Sequence, residues 1–224
     1  MVMDARVHAQ PHHPILESGY WLVLGLLGVS YLLCATQTSL NPNPIALLYQ
    51  LFTVAATLWV AEVKTSARRA GWLALAVTGL ATVVVHLAGL EGRLLDIVLS
   101  ATSMVAYLVA PMAIVAHEFR KVTVDVQTLL GAIAAYVMVG MFFTFVYNLI
   151  SLTTPTPLFG EASHDSLTSQ LFFSFTTLTT TGYGNLVPDA PLVQTVAISE
   201  AITGQLFLVI AVAKFVSGWQ PQPR

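Results

Sequence analysis

The amino-acid sequence predicts an all-α integral membrane protein with six transmembrane helices, and with a short re-entrant helix and an irregular loop between helices 5 and 6. Three observations lead there. Hydrophobic residues fill 56% of the 224 positions and charged residues only 9%, against roughly 25% charged in soluble domains. Six apolar stretches are each long enough to cross a hydrocarbon core of about 30 Å at ~1.5 Å per residue. A further stretch, Ser166 to Leu178, is too short to cross and runs directly into Thr179-Thr180-Thr181-Gly182-Tyr183-Gly184-Asn185.

In chain order, Met1 to Pro14 carries His8, His12 and His13 among prolines, without a charged start followed by a cleavage site. It reads as a solvated cytoplasmic tail and not as a removable signal peptide. The spans are placed at Ser18–Thr36, Ile45–Val63, Gly71–Leu90, Leu94–Ala116, Thr128–Ile150 and Pro191–Ser217. Polar or Pro-containing breakers separate the first five: Asn41-Pro42-Asn43-Pro44, Lys64 to Arg69, Glu91-Gly92-Arg93, and His117 to Asp125. The single cysteine, Cys34, lies inside the first span, where its expected role is packing. The fourth span, Leu94–Ala116, holds no arginine or lysine; Arg93 and Asp96 sit at its outer end, and Pro111 is expected to kink or interrupt it near the inner end. A voltage sensor needs several basic residues there, each worth ~2.3 kcal/mol per 100 mV. Steep voltage dependence is therefore not expected. His86 and His117 are candidate pH sensors by residue type, against the commoner case of a helix-end or interfacial histidine with no role.

Orientation follows from the basic residues. With the N-terminus in the cytoplasm, Arg6, Lys64, Arg68, Arg69, Arg120, Lys121, Lys214 and Arg224 lie inside and only Arg93 outside, eight of the nine lysines and arginines. The excess of positive charge selects cytoplasmic N- and C-termini and sends the loop between the fifth and sixth spans to the outer face. A net charge of −2 gives no basis for a nucleic-acid partner. No nucleotide- or calcium-binding domain is expected on the inner side after Lys214.

The outer loop opens with Ser151 to Gly160, rich in threonine and proline, and continues through Glu161, His164 and Asp165 as a polar turret. Ser163, His164 and Asp165 are neighbours in sequence only; a catalytic triad is assembled by geometry, so no enzymatic activity is expected. The helix Ser166–Leu178 would reach only ~20 Å, with Asp165 or Ser166 capping its start. Its C-terminal dipole end, carrying partial negative charge, points toward the membrane centre and favours a cation there. Irregular backbone at that depth is tolerated only inside protein or facing water, so the loop calls for a pore. Gly182 and Gly184 can take positive φ at little cost, which lets successive carbonyls of Thr180 to Gly184 face one way.

Two residues of the sixth span stand out. Glu200 is an ionisable group within a membrane helix; it is either a hydrogen-bonded structural carboxyl behind the loop or a charge facing a water-filled cavity. Gly204, one turn on, is either a hinge or a point of close helix packing.

These residues resemble the bacterial tetrameric potassium channels, and the whole chain looks like their six-span members without a voltage-sensing arginine series or a cytoplasmic regulatory domain. The resemblance runs from about Val124 to Gly218: the outer helix, Phe172-Phe173-Ser174-Phe175-Thr176-Thr177 as pore helix, the Gly-Tyr-Gly selectivity filter, Pro188, and Glu200-Ala201-Ile202-Thr203-Gly204-Gln205-Leu206-Phe207 on the inner helix. The first four spans carry no family motif; span placement and the resemblance together divide the chain into a tail over residues 1–17, a four-helix domain over 18–117, a linker over 118–127, a pore domain over 128–218 and a second tail over 219–224. It implies potassium coordination by Thr180, Thr181, Gly182, Tyr183 and Gly184, including the Thr180 hydroxyl at the inner end, with Thr176, Thr177, Phe173 and Asn185 in support and Glu200 and Gly204 as gate or cavity positions. The implied function is passive potassium flux across the cell inner membrane. K+ is the conducted ion, no cofactor is called for, and the partners are membrane lipids and three further copies, since one filter segment per chain and a filter of four loops require a homotetramer.

Two departures bear on the filter. The family's filter usually ends in an aspartate bonded to a tryptophan and a glutamate of the pore helix; the corresponding positions here are Asn185, Phe173 and Thr176. Weaker support behind Tyr183, and conduction or inactivation that depends on external potassium, are expected. An Asn185→Asp chain that inactivates at low external potassium just as the parent does would contradict this. The residue before the first glycine, often valine or isoleucine, is Thr181; its side chain points away from the pore in the family pattern, so selectivity is expected to survive. Competing readings are a weakly selective cation channel and a non-conducting subunit that keeps the pore fold. Whether the first four helices pack on their own pore or a neighbour's is open.

Overall fold

The computed structural model describes residues 19–36, 44–60, 93–118, 124–160 and 165–218, with isolated helical positions at 69, 72–73, 76–77 and 80. Six helices lie within these residues: α1 (Gly19–Ala35), α2 (Pro44–Val60), α3 (Arg93–Glu118), α4 (Val126–Thr153), α5 (Leu167–Leu178) and α6 (Pro191–Gly218). Most of the expected third span, with His86, and the basic residues Arg6, Lys64, Arg68, Arg120, Lys121 and Arg224 fall outside the described residues. Among the described helices α3, α4 and α6, of 26, 28 and 28 residues, are long and apolar enough to cross a membrane. The described residues are all-helical outside their loops and turns and carry helices fit to cross a membrane, as in an integral membrane protein.

The ends of the helices follow local chemistry. Asp125 caps α4, its Oδ1 accepting from both the backbone N–H and the hydroxyl of Thr128 at 2.8 Å, a tie worth about 1 kcal/mol. At the other end α4 runs past Ile150 through Thr153, so the outer loop begins three residues later than expected. Hydroxyls of Thr153 and Thr154 fold back on the Ile150 carbonyl there, and Arg93 Nε donates to the Leu152 carbonyl at 2.6 Å. A cation on the last carbonyls of a helix suits its negative end. Pro111 does not interrupt α3, which continues as one helix to Glu118; packing neighbours in a membrane bundle re-satisfy the backbone that proline frees.

α2 packs on α1 and on α3, α1 and α3 pack on α4 of the same chain, and α1 also touches α5. Tyr107 of α3 stacks on Phe145 of α4 at 5.7 Å, and Asn148 Nδ2 donates to Ser100 Oγ at 2.6 Å, both side chains buried. Tyr20 of α1 lies against Gly131 of α4, where an added Cβ would come within 3.3 Å of its ring, and donates to Glu118 Oε1 at 3.0 Å. Cys34 is buried and accepts from Gln50 Nε2. Small residues at contacts and paired polar groups are how helices hold together where burial in lipid gives no hydrophobic gain.

α5 is wedged between α4 and α6 with α1 behind it. Phe175 of α5 fills the notch left by Gly140 of α4, where an added Cβ would be 2.7 Å from its ring, and meets Tyr31 of α1 edge-on at 5.3 Å. The Thr168 hydroxyl reaches the last carbonyls of α1, Cys34 and Ala35, at 3.3 Å.

Candidate functional site

α5 begins where Ser166 accepts from the Ser169 N–H. Asp165, the other candidate cap, instead takes the Leu158 N–H on both carboxylate oxygens at 3.1 and 3.0 Å. That bond folds the outer loop inward: Leu158 and Phe159 are buried, Phe159 packs against Phe173 at 4.9 Å, and Asp189 N donates to the Leu158 carbonyl at 3.0 Å. The segment read as a polar turret thus contributes an apolar plug, a role hidden by its polar neighbours.

At its other end α5 hands over to the loop through its own carbonyls. Thr176 O accepts from Thr181 N and Gly182 N at 2.8 and 3.1 Å, and Thr177 O accepts from Thr180 N at 2.9 Å. Thr176 and Thr177 therefore bear on the loop through their backbone, while the Thr176 hydroxyl turns back to Phe173 O. The hydroxyls of Thr179 and Thr181 are 2.8 Å apart, and Tyr136 of α4 donates to Leu178 O at 3.1 Å. Gly182 and Gly184 have φ of +53° and +81°, and Thr180 has φ of +56°. For a β-branched residue the last is a strained conformation, costing on the order of 1–3 kcal/mol, and the bonds on either side of it supply the restraint. The Thr180 hydroxyl also accepts from Gln205 Nε2 of α6 at 3.2 Å.

Thr179 to Asn185 are all exposed on the single chain, Tyr183 at 71%. The ring behind Tyr183 belongs to Phe172, stacked at 5.7 Å and 16°. Phe173 turns to another side of α5, edge-on to Tyr147 at 5.2 Å, and Asn185 is exposed.

Glu200 is fully buried between α4, α5 and α6: Tyr147 donates to its Oε2 at 2.7 Å, and Ser174 Oγ lies 2.6 Å from its Oε1. It stands behind the loop rather than in a cavity below it. Ser174 Oγ is also 2.8 Å from the Gly140 carbonyl. One hydroxyl hydrogen serves one acceptor, so the cluster closes completely when the Glu200 carboxyl supplies the other hydrogen. Gly204, one turn on, is buried with its Cα against the end of α5; an added Cβ would overlap the Leu178 carbonyl oxygen. This contact is of the kind the close-packing reading of Gly204 describes. Tyr147 and Ser174, which anchor Glu200, and Phe172 and Gln205 were given no individual role by sequence, although Phe172, Ser174 and Gln205 lie in the stretches that carry the resemblance.

A protein-family model described as an ion channel matches residues 133–218, from within α4 to the end of α6. Comparison with curated proteins and with solved structures returned no match. The family match supports ion-channel activity in general, and transport rather than enzymatic chemistry, for a segment that holds α5, the glycine-containing loop and α6.

Proposed function

We propose that the protein is a potassium-selective channel in which four copies of this chain surround one pore in the cell inner membrane, with both termini cytoplasmic. The observation that carries this reading is the Thr180–Gly184 loop. It leaves a short, capped helix, has positive φ at both glycines, and is bound to the helix by successive backbone N–H groups. Loops of this sequence in fourfold array present rings of carbonyl oxygens that replace the hydration shell of K+. In this reading Thr180, Thr181, Gly182, Tyr183 and Gly184 coordinate the ion, and the negative end of the α5 dipole stabilises a cation entering below.

Fourfold assembly also accounts for the bare surfaces. Bare irregular backbone cannot face lipid, yet residues 179–185 are uncovered on one chain. The face of α6 that carries Ile198, Ile202, Leu206 and Val209 is more than half exposed, apolar enough to meet lipid or three sister helices. Residues 94–116 of α3 carry no lysine or arginine, which fits a channel without steep voltage dependence.

A weakly selective cation channel is the second reading, favoured by the exposed Asn185 and by Phe173 turning away from Tyr183. Purified full-length protein in liposomes decides between them. Potassium-driven uptake with sodium at least an order of magnitude less permeant is the expected result; equal fluxes select the weakly selective channel, and no flux of either ion the non-conducting subunit.

A further inference from the structure

We infer that Gln205 is a positioning residue for the innermost ion site, holding the Thr180 hydroxyl in the orientation in which it meets the ion. The inference rests on the channel reading above.

The close contact of Gly204 with Leu178 brings α6 against the base of the loop at that level. The next residue, Gln205, is exposed on α6 and directs its amide Nε2 to Thr180 Oγ1 at 3.2 Å. Thr180 is thereby held twice, by its N–H on Thr177 O and by its side chain on α6, in the one non-glycine residue with positive φ among the described residues. A hydroxyl offers two acceptor positions and one rotating hydrogen. With one acceptor position taken by Gln205, the hydroxyl hydrogen is kept out of that direction, and the second lone pair is the one left for a cation. The side chain of Thr180 is the only part of the loop bonded to α6 by a side chain among the described residues, so the inner-helix position and the inner ion site are joined at this bond.

The test is a double-mutant cycle on the full chain reconstituted in planar bilayers, reading the half-saturating K+ concentration separately from the inner and the outer face. Gln205→Leu keeps the size of the side chain and removes the amide. It is expected to raise the inner-face value about three- to tenfold, the range of one neutral hydrogen bond, and to leave the outer-face value unchanged. In the Thr180→Val background, which lacks the hydroxyl and keeps the branched side chain, Gln205→Leu is expected to change nothing further; in Thr180→Ser, which keeps the hydroxyl, its effect returns. Equal effects of Gln205→Leu with and without the hydroxyl would mean the two side chains act independently, and would overturn the inference while leaving the channel reading intact. An inner-face value unmoved by Gln205→Leu, or equal shifts at both faces, overturns it too. A parent protein that passes no K+ removes the channel reading and this inference together.

Discussion

Glu200→Ala is expected to abolish potassium flux and to lower the thermal stability of the assembled protein, while Glu200→Gln is expected to leave both close to the parent. Alanine removes the acceptor of the buried Tyr147 hydroxyl and one of the two partners of Ser174. A buried polar group left without a partner costs about 1–3 kcal/mol, and the vacated volume adds to that. Because Ser174 lies on α5 and Tyr147 on α4, the loss also loosens the helix from which the loop departs. Glutamine reproduces the whole cluster: its carbonyl accepts from Tyr147, and its amide donates to Ser174 Oγ, leaving the Ser174 hydrogen for Gly140. Flux and melting temperature of the two variants, measured side by side, check this. A glutamine variant as inactive as the alanine one would show that a negative charge at Glu200 is what matters and would refute the account given for the cluster.

Gly204→Ala separates two roles by the sign of its effect. In a helix exposed to solvent or acting as a hinge, replacing glycine by alanine stabilises by about 1 kcal/mol. Here the methyl group would overlap the Leu178 carbonyl, a backbone atom that cannot rotate away, so α5 and α6 must separate. Overpacking of this kind costs about 1–3 kcal/mol, and the displacement falls on the residue that precedes Thr179. The expected outcome is a protein of unchanged helix content with lowered stability and lost discrimination between potassium and sodium, checked by circular dichroism and by liposome flux. A more stable Gly204→Ala protein with intact selectivity would return Gly204 to the role of a hinge.

How far the chain could be read without coordinates differs from element to element. The helices were legible because lipid-crossing length and apolar composition are one-dimensional properties: α1, α2, α3 and α6 lie within three residues of their expected bounds, and the short α5 is set by its Ser166 cap. Gly182 and Gly184 were legible because few other residues take their backbone conformation. What a helix faces was not. Phe172 and Phe173 are adjacent, about 100° apart around the axis, and their order in the sequence gives no hint that Phe172 is the one stacked on Tyr183. Glu200 and Gly204 could be assigned to one face of α6, yet the side of the loop on which that face lies depends on Tyr147 and Ser174, 53 and 26 residues away in the chain. The strained φ of Thr180 was hidden for a similar reason: nothing in a threonine's type announces a conformation imposed by its neighbours.

The bare face of α6 bears on genetics. In the proposed fourfold assembly the inner helix and loop of each chain are covered by its sisters, so a defective copy that still assembles is built into the same ring as sound ones. In a cell making both, few rings would escape a damaged member. Lesions at Gly204 or in the glycine loop would then behave as dominant, whereas lesions that stop the chain before assembly would be masked by the intact copy.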